Sequence, residues 1–317
     1  MSYDLSFSVK EGRPEISKEE FAAYFKERRH YQINDAQAWY ENKDTGVYFT
    51  FDYGHEEFDE EFDDEDINVD DEGEALEEDD LEEEDLPAFA SFNLNFNRPS
   101  FFVMEADIEV WQFVWNFDLI IHDRQSDRRG EYLSEEFIST WSRTNAVVCS
   151  EMAVLSQQEI CLYKGDELKR IWRWNYQLED KQLEGGDNIF VPNISFLVIN
   201  GEVKTFAVWG DGGSILLPRV DVLILARDEL KLRRGLKQDE EPEYSVIEWA
   251  DIESLLRSFP KNDLPIENFI LDYEFVPETI ESFFRKQAIT GLDGIKTLAM
   301  DMIKDTEFFT RGKDSEF

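Results

Sequence analysis

Val47-Tyr48-Phe49-Thr50-Phe51-Asp52 and Phe92-Asn93-Leu94-Asn95-Phe96 decide the fold. In each, apolar side chains alternate with polar ones, the period of a strand that buries one face. Between them, residues 56–85 hold 21 acidic residues in 30 positions, and no basic residue occurs between His55 and Arg98. Such a block of like charge cannot bury enough apolar surface to offset chain entropy, so 55–86 reads as a disordered loop. A linker normally follows a completed core, whereas this run separates two half-buried strands. It is therefore expected as a long hairpin insertion within one domain, with Phe58, Phe62, Ile67, Val69, Leu76 and Leu81 as hydrophobic handles for a partner.

Outward from this centre, residues 3–9 alternate as a strand. Ser17 with Glu20 three residues later marks a capping box that opens a helix through about residue 29. Residues 37–40 and 47–53 flank Glu41-Asn42-Lys43-Asp44-Thr45-Gly46, whose Asn, Asp and Gly are turn residues, so a hairpin is predicted. Residues 104–117 place Ile108, Trp111 and Trp115 at helical spacing; Val110, Phe113 and Val114 fill the other side and leave a strand as the alternative, but a helix buried on most sides is the favoured reading. A strand at 119–122 completes the order β-α-β-β-(acidic loop)-β-α-β.

A second unit is expected from residue 131, with helices at about 134–153 and 166–183, the latter ended by Gly185-Gly186. Strands follow at 194–199, 203–209 and 220–225, with Asn200-Gly201 as a hairpin turn between the first two. A helix at 228–234, a strand at 244–248 and a helix at 277–287 complete the reading. The fold class is α+β: two mixed α/β layers with largely antiparallel sheets and a disordered acidic insertion, divided into domains 1–130 and 131–317.

The chain has 317 residues, 42% of them hydrophobic and 14% aromatic, ample for a packed core. Its net charge of −40 repels phosphate backbones and anionic lipid, so neither nucleic acid nor a membrane is expected as partner. The acidic run accounts for over half of that charge and leaves −19 on the other 287 residues. No apolar run approaches the ~20 residues of a bilayer span, and the first twelve residues lack the pattern of a signal peptide. Cys149 and Cys161 are too few for a disulfide framework, which fits a reducing compartment, the cytoplasm.

Candidate chemistry is sparse. Two registers of a calcium-binding loop come near to fitting the run, and neither is complete. From Asp66 the ligands fall on Asp66, Asn68, Asp70 and Glu77 but Asp71 replaces the required Gly, and from Asn68 the Gly73 is right but the first ligand is Asn and the last Asp79. His30, His55 and His122 lack metal-helix spacing. Trp209-Gly210-Asp211-Gly212-Gly213-Ser214 lacks the Lys-Ser/Thr of a phosphate loop and reads as a turn. Lys169, Arg170, Trp172, Arg173 and Trp174 resemble a stacking patch but divide more simply into an apolar and a charged helix face. Lys231, Arg233, Arg234 and Lys237 suit a helix C-terminus. No catalytic motif, metal or cofactor is expected, and the chain reads as a non-enzyme.

Two stretches, Tyr40-Glu41-Asn42-Lys43-Asp44-Thr45-Gly46-Val47-Tyr48-Phe49 and Phe92-Asn93-Leu94-Asn95-Phe96-Asn97-Arg98-Pro99-Ser100-Phe101-Phe102, resemble a family of bacterial proteins akin to immunity partners of interbacterial toxins. Those partners include ones that neutralise restriction-endonuclease-fold toxins delivered by type VI secretion. The resemblance implies a cytoplasmic binding protein and assigns no functional residue. Charge agrees with it, since a nuclease toxin presents a basic surface that an acidic inhibitor can cover. The expected function is neutralisation of one cognate toxin, with Asp59, Glu60, Glu61, Asp63, Asp64 and Asp66 as candidate contacts. The alternative is an acidic chaperone or scaffold for basic proteins, in which the run itself binds.

Overall fold

Alternation carries directly into the first sheet. In β1 (Ser2–Val9), Tyr3, Leu5 and Phe7 are buried, and β4 (Val47–Tyr53) and β5 (Ala90–Asn95) do the same with Phe49, Phe51, Phe92 and Leu94. The structure, a computed structural model, describes residues 1–54, 87–155, 161–230, 243–290, 292 and 294–310. With β2 (Tyr31–Asn34), β3 (Gln37–Asn42), β6 (Leu119–Asp123) and β7 (Arg128–Gly130), these strands form a seven-stranded sheet in the order β2-β3-β4-β5-β1-β6-β7, antiparallel throughout. β4 pairs β5 directly, Tyr53 opposite Ala90, so the acidic run is an insertion between neighbouring strands, as expected. The run itself, including Asp59, Glu60, Glu61, Asp63, Asp64, Asp66, His55 and both calcium registers, lies outside the described residues.

Three helices cover the apolar face: α1 (Lys18–Lys26), α2 (Phe101–Phe117) and α3 (Ser134–Leu155). The capping box at Ser17 forms as read, but α1 ends three residues early. His30, at φ 67°, then turns the chain into β2, a four-residue edge strand too exposed to show alternation. Phe113 of α2 packs edge-on to Phe7 at 5.1 Å and stacks on Phe25 of α1 at 5.5 Å. α3 opens the expected second unit, yet its Phe137 packs 5.3 Å from Tyr3 and its Trp141 stacks on Phe96 of the first. The other sheet face carries Asp4, Thr50, Asp52, Asn93 and His122.

Beyond α3, β8 (Cys161–Tyr163) leads to α4 (Gly165–Tyr176) and α5 (Leu178–Gly185), where one continuous helix was expected and Gln177 instead separates two. β9 (Ser195–Ile199) and β10 (Glu202–Gly210) form the predicted hairpin, Asn200 and Gly201 both at positive φ as its turn type demands. β11 (Ile215–Pro218) leaves for another sheet, so β12 (Val222–Arg227) returns parallel to β10. There follow β13 (Glu243–Glu248), α6 (Trp249–Leu256), β14 (Lys261–Asn262), β15 (Asn268–Leu271), α7 (Glu278–Lys286), β16 (Lys296–Leu298), β17 (Ile303–Asp305) and α8 (Glu307–Thr310). They build sheets β13-β12-β10-β9-β16, β11-β15-β14 and β17-β8.

The Gly-rich piece is a turn in which Asp211 Oδ1 accepts from the backbone N–H groups of Asp228, Glu229 and Leu230. This replaces the start of the helix expected at 228–234, whose remainder, with Lys231, Arg233, Arg234 and Lys237, lies outside the described residues.

The two halves are locked by the segment that follows β16. β17 runs parallel to β8, and Asp305 accepts from the Ser100 N–H at 2.8 Å and its hydroxyl at 2.5 Å, capping α2 from 205 residues away. Glu307 caps α4 through the Gly165 N–H at 3.0 Å. Lys304, its amine pulled down to about 8 by burial, donates to the Asn97 and Asp301 carbonyls. Both caps put an anion at the electropositive end of a helix. The architecture is α+β with largely antiparallel sheets.

Candidate functional site

Helix α2 presents three different faces. Phe102, Ala106, Val110 and Phe113 press onto the sheet. Glu105, Glu109 and Gln112, at i, i+4 and i+7, line a second face. Met104, Ile108, Trp111 and Trp115 form an outward stripe.

On the second face Glu105 is completely buried. Its Oε1 accepts from the Tyr40 hydroxyl at 2.7 Å, the Asn42 amide at 2.9 Å and the Thr45 hydroxyl at 3.1 Å, and its Oε2 accepts from the Trp172 indole at 2.6 Å. The donors come from β3, its turn and α4, so one carboxyl joins three parts of the fold. Burial pushes its pKa up to about 6, against the pull of these four hydrogen bonds. Tyr40, Asn42 and Thr45 belong to the first resemblance stretch, and the second supplies Ser100, whose N–H and hydroxyl donate to Asp305.

This carboxyl sets an expected pH dependence. Its folded-state pKa of about 6 lies above the ordinary 4.5, so the stability it contributes is fully present below pH 4.5 and is lost as pH rises through 6. The loss amounts to about 2 kcal/mol. Urea unfolding between pH 4.5 and 7 should show this slope in the natural chain and not in Glu105→Gln; equal slopes in both would refute it.

Beside the cage lies a cleft of about 310 Å³ lined by Arg28, His30, Tyr40, Asp44, Glu109 and Tyr176, among others. Glu109 accepts from Arg28 at 2.9 Å and from the Tyr31 hydroxyl at 3.0 Å, and Arg29 pairs with Glu179. Burial and the nearby Glu179 push the Asp44 carboxyl up. Glu105 does not line this cleft, so its perturbed carboxyl belongs to the scaffold.

The outward stripe differs from its expectation. Trp111 is 50% and Trp115 74% exposed, their rings stacked at 6.2 Å and 13°. Periodicity predicts a face; whether another element covers it depends on tertiary packing. α4 touches α2 near Glu105, through Trp172, and the tryptophan pair stays open.

The remaining sequence candidates resolve as scaffold. Trp172 and Trp174 are buried, and Arg170 bonds Glu167 and the Pro265 carbonyl, so the basic and aromatic residues of α4 form no stacking patch. Cys149 is buried, which pushes its thiol up to about 11, and Cys161 is half-buried in β8; the two form no disulfide. His122 faces Asp127 at 3.9 Å across the β6–β7 turn. Among the described residues no group of three His, Cys, Asp or Glu side chains is placed to hold a metal ion, and no helix is long and apolar enough to cross a membrane. The chain matches no protein-family model, no curated protein and no solved structure. Among the described residues the open tryptophan pair on α2 is one of several exposed apolar features, with Phe275, Leu264 and Leu183, and its two rings are stacked on one rigid helix.

Proposed function

We propose that this chain is a cytoplasmic immunity protein that binds and neutralises one cognate interbacterial toxin, a nuclease with a basic surface, by protein–protein association. The observation that carries this reading is the exposed, stacked pair Trp111 and Trp115 on a helix fixed by its buried carboxyl, within a chain of net charge −40. Tryptophan is among the residues that dominate binding energy at interfaces, and a rigid helix loses little freedom on association. Opposite charge speeds capture of the toxin, and apolar contact slows its release. A nuclease whose basic face is covered cannot hold a phosphate backbone.

The test is co-expression with a secreted nuclease domain, sought first among the products of genes neighbouring this one. The expected result is cell rescue and a one-to-one complex on size exclusion. Raising salt from about 50 to 500 mM should slow association about tenfold and leave dissociation slow. No complex and no rescue would sink the reading. Equal binding of unrelated basic proteins, abolished by moderate salt, would favour the acidic chaperone instead.

A further inference from the structure

Trp111 and Trp115 lie one helical turn apart with their rings nearly parallel, and the outer face of the pair is open to solvent. Elsewhere the chain supplies cations to its own rings: Arg28 lies over Tyr24 at 4.8 Å, Arg98 over Tyr48 at 4.9 Å and Lys181 over Trp174 at 5.4 Å. Among the described residues no such cation lies over Trp111 or Trp115, although indole is the best cation acceptor of the aromatic side chains. α2 itself carries Glu105, Asp107 and Glu109 and no Lys or Arg. Glu109 is paired with Arg28 of the neighbouring segment, so the preference of the open π faces for positive charge rests on the rings' own quadrupole and on the chain's net charge of −40. A second copy of the chain would bring −40 against −40, and an anionic membrane surface is repelled in the same way.

We infer that Trp111 and Trp115 are the docking anchor for a basic partner protein, which lays an arginine side chain flat on the exposed indole face of Trp115. Guanidinium is planar and weakly hydrated, so it stacks on a ring better than ammonium does. This rests on the proposed function and adds where the partner is held and by what chemistry. Glu105 and its four donors keep the helix in place before the partner arrives.

The experiment titrates the full chain and its W111A/W115A variant with nona-arginine and with nona-lysine at about 150 mM salt, following tryptophan fluorescence. Because both side chains are exposed, the variant should keep the natural thermal transition. Nona-arginine affinity should fall about tenfold in the variant, nona-lysine affinity less, and W111F/W115F should keep most of the binding. Equal affinity of the natural chain and the alanine variant for nona-arginine would overturn the inference. So would a concentration-dependent self-association that the alanine variant loses, which would make the occupant a second copy. In the toxin arm, undiminished affinity of W111A/W115A for the co-expressed nuclease ends this inference and leaves immunity standing. Failure of the natural chain to bind that nuclease, with tryptophan-dependent nona-arginine binding intact, ends immunity and leaves the docking chemistry.

Discussion

Replacing Glu105 with alanine is expected to destabilise the protein by about 4 kcal/mol, a large share of the 5–15 kcal/mol that holds a typical domain together. The side chain is fully buried, and the Tyr40 and Thr45 hydroxyls, the Asn42 amide and the Trp172 indole all donate to it. Alanine leaves these four buried donors without the acceptor they share. An orphaned buried donor costs about 1–3 kcal/mol, and the sum is offset in part because the buried charge disappears too. Glu105→Gln keeps a carbonyl for the three donors at Oε1 and leaves the indole facing an amide, so about 1–2 kcal/mol is expected. Urea unfolding at pH 7 measures both. An alanine variant within 1 kcal/mol of the natural chain would show that the cage holds nothing together.

Gly165→Ala should lower stability by about 2 kcal/mol, although a glycine to alanine change in a helix ordinarily raises it by up to about 1 kcal/mol. A Cβ at this position would lie 2.5 Å from Asp305 Oδ1 and 2.9 Å from Glu307 Oε2. Neither carboxylate is free to swing away. Asp305 is held by the Ser100 N–H and hydroxyl, and Glu307 by the Gly165 N–H itself. Making room for one methyl therefore breaks the caps of α2 and α4 together. The check is a double-mutant cycle: Asp305→Ala costs stability alone, but in its presence Gly165→Ala should become far less harmful, because the nearest clashing atom is gone. Strict additivity of the two changes would mean that Asp305 is not what excludes the methyl.

Local physics was legible in the chain wherever one residue type meets one local rule. The alternation of Tyr3, Leu5 and Phe7, and of Phe92 and Leu94, needs only that a strand has two faces. The Ser17–Glu20 capping box and the Asn200-Gly201 turn close their hydrogen bonds or dihedrals within a few residues. Short strands without burial on one side, such as β2, β7 and β14, leave no period to read, and none was expected. Helix α3, read from the chain as opening the second unit, packs its Phe137 on Tyr3 and Phe92 of the first sheet, a contact that spacing along the chain does not announce.

The amino-acid order alone determined that the acidic run interrupts a sheet, that the sheet is half buried, and that α2 is a helix with tryptophans on one stripe. Each follows from spacing along the chain, which is a covalent property. Only the tertiary structure decided that Glu105 meets donors 60 to 67 residues away and that Asp305 caps a helix 205 residues back. It also decided that Trp111 and Trp115 remain uncovered. A glutamate among the apolar residues of a helix and a tryptophan at helical spacing look the same in sequence whether buried or open. Their state depends on which distant surface arrives, and that is set by the sum of packing across the whole core and not by neighbours in the chain.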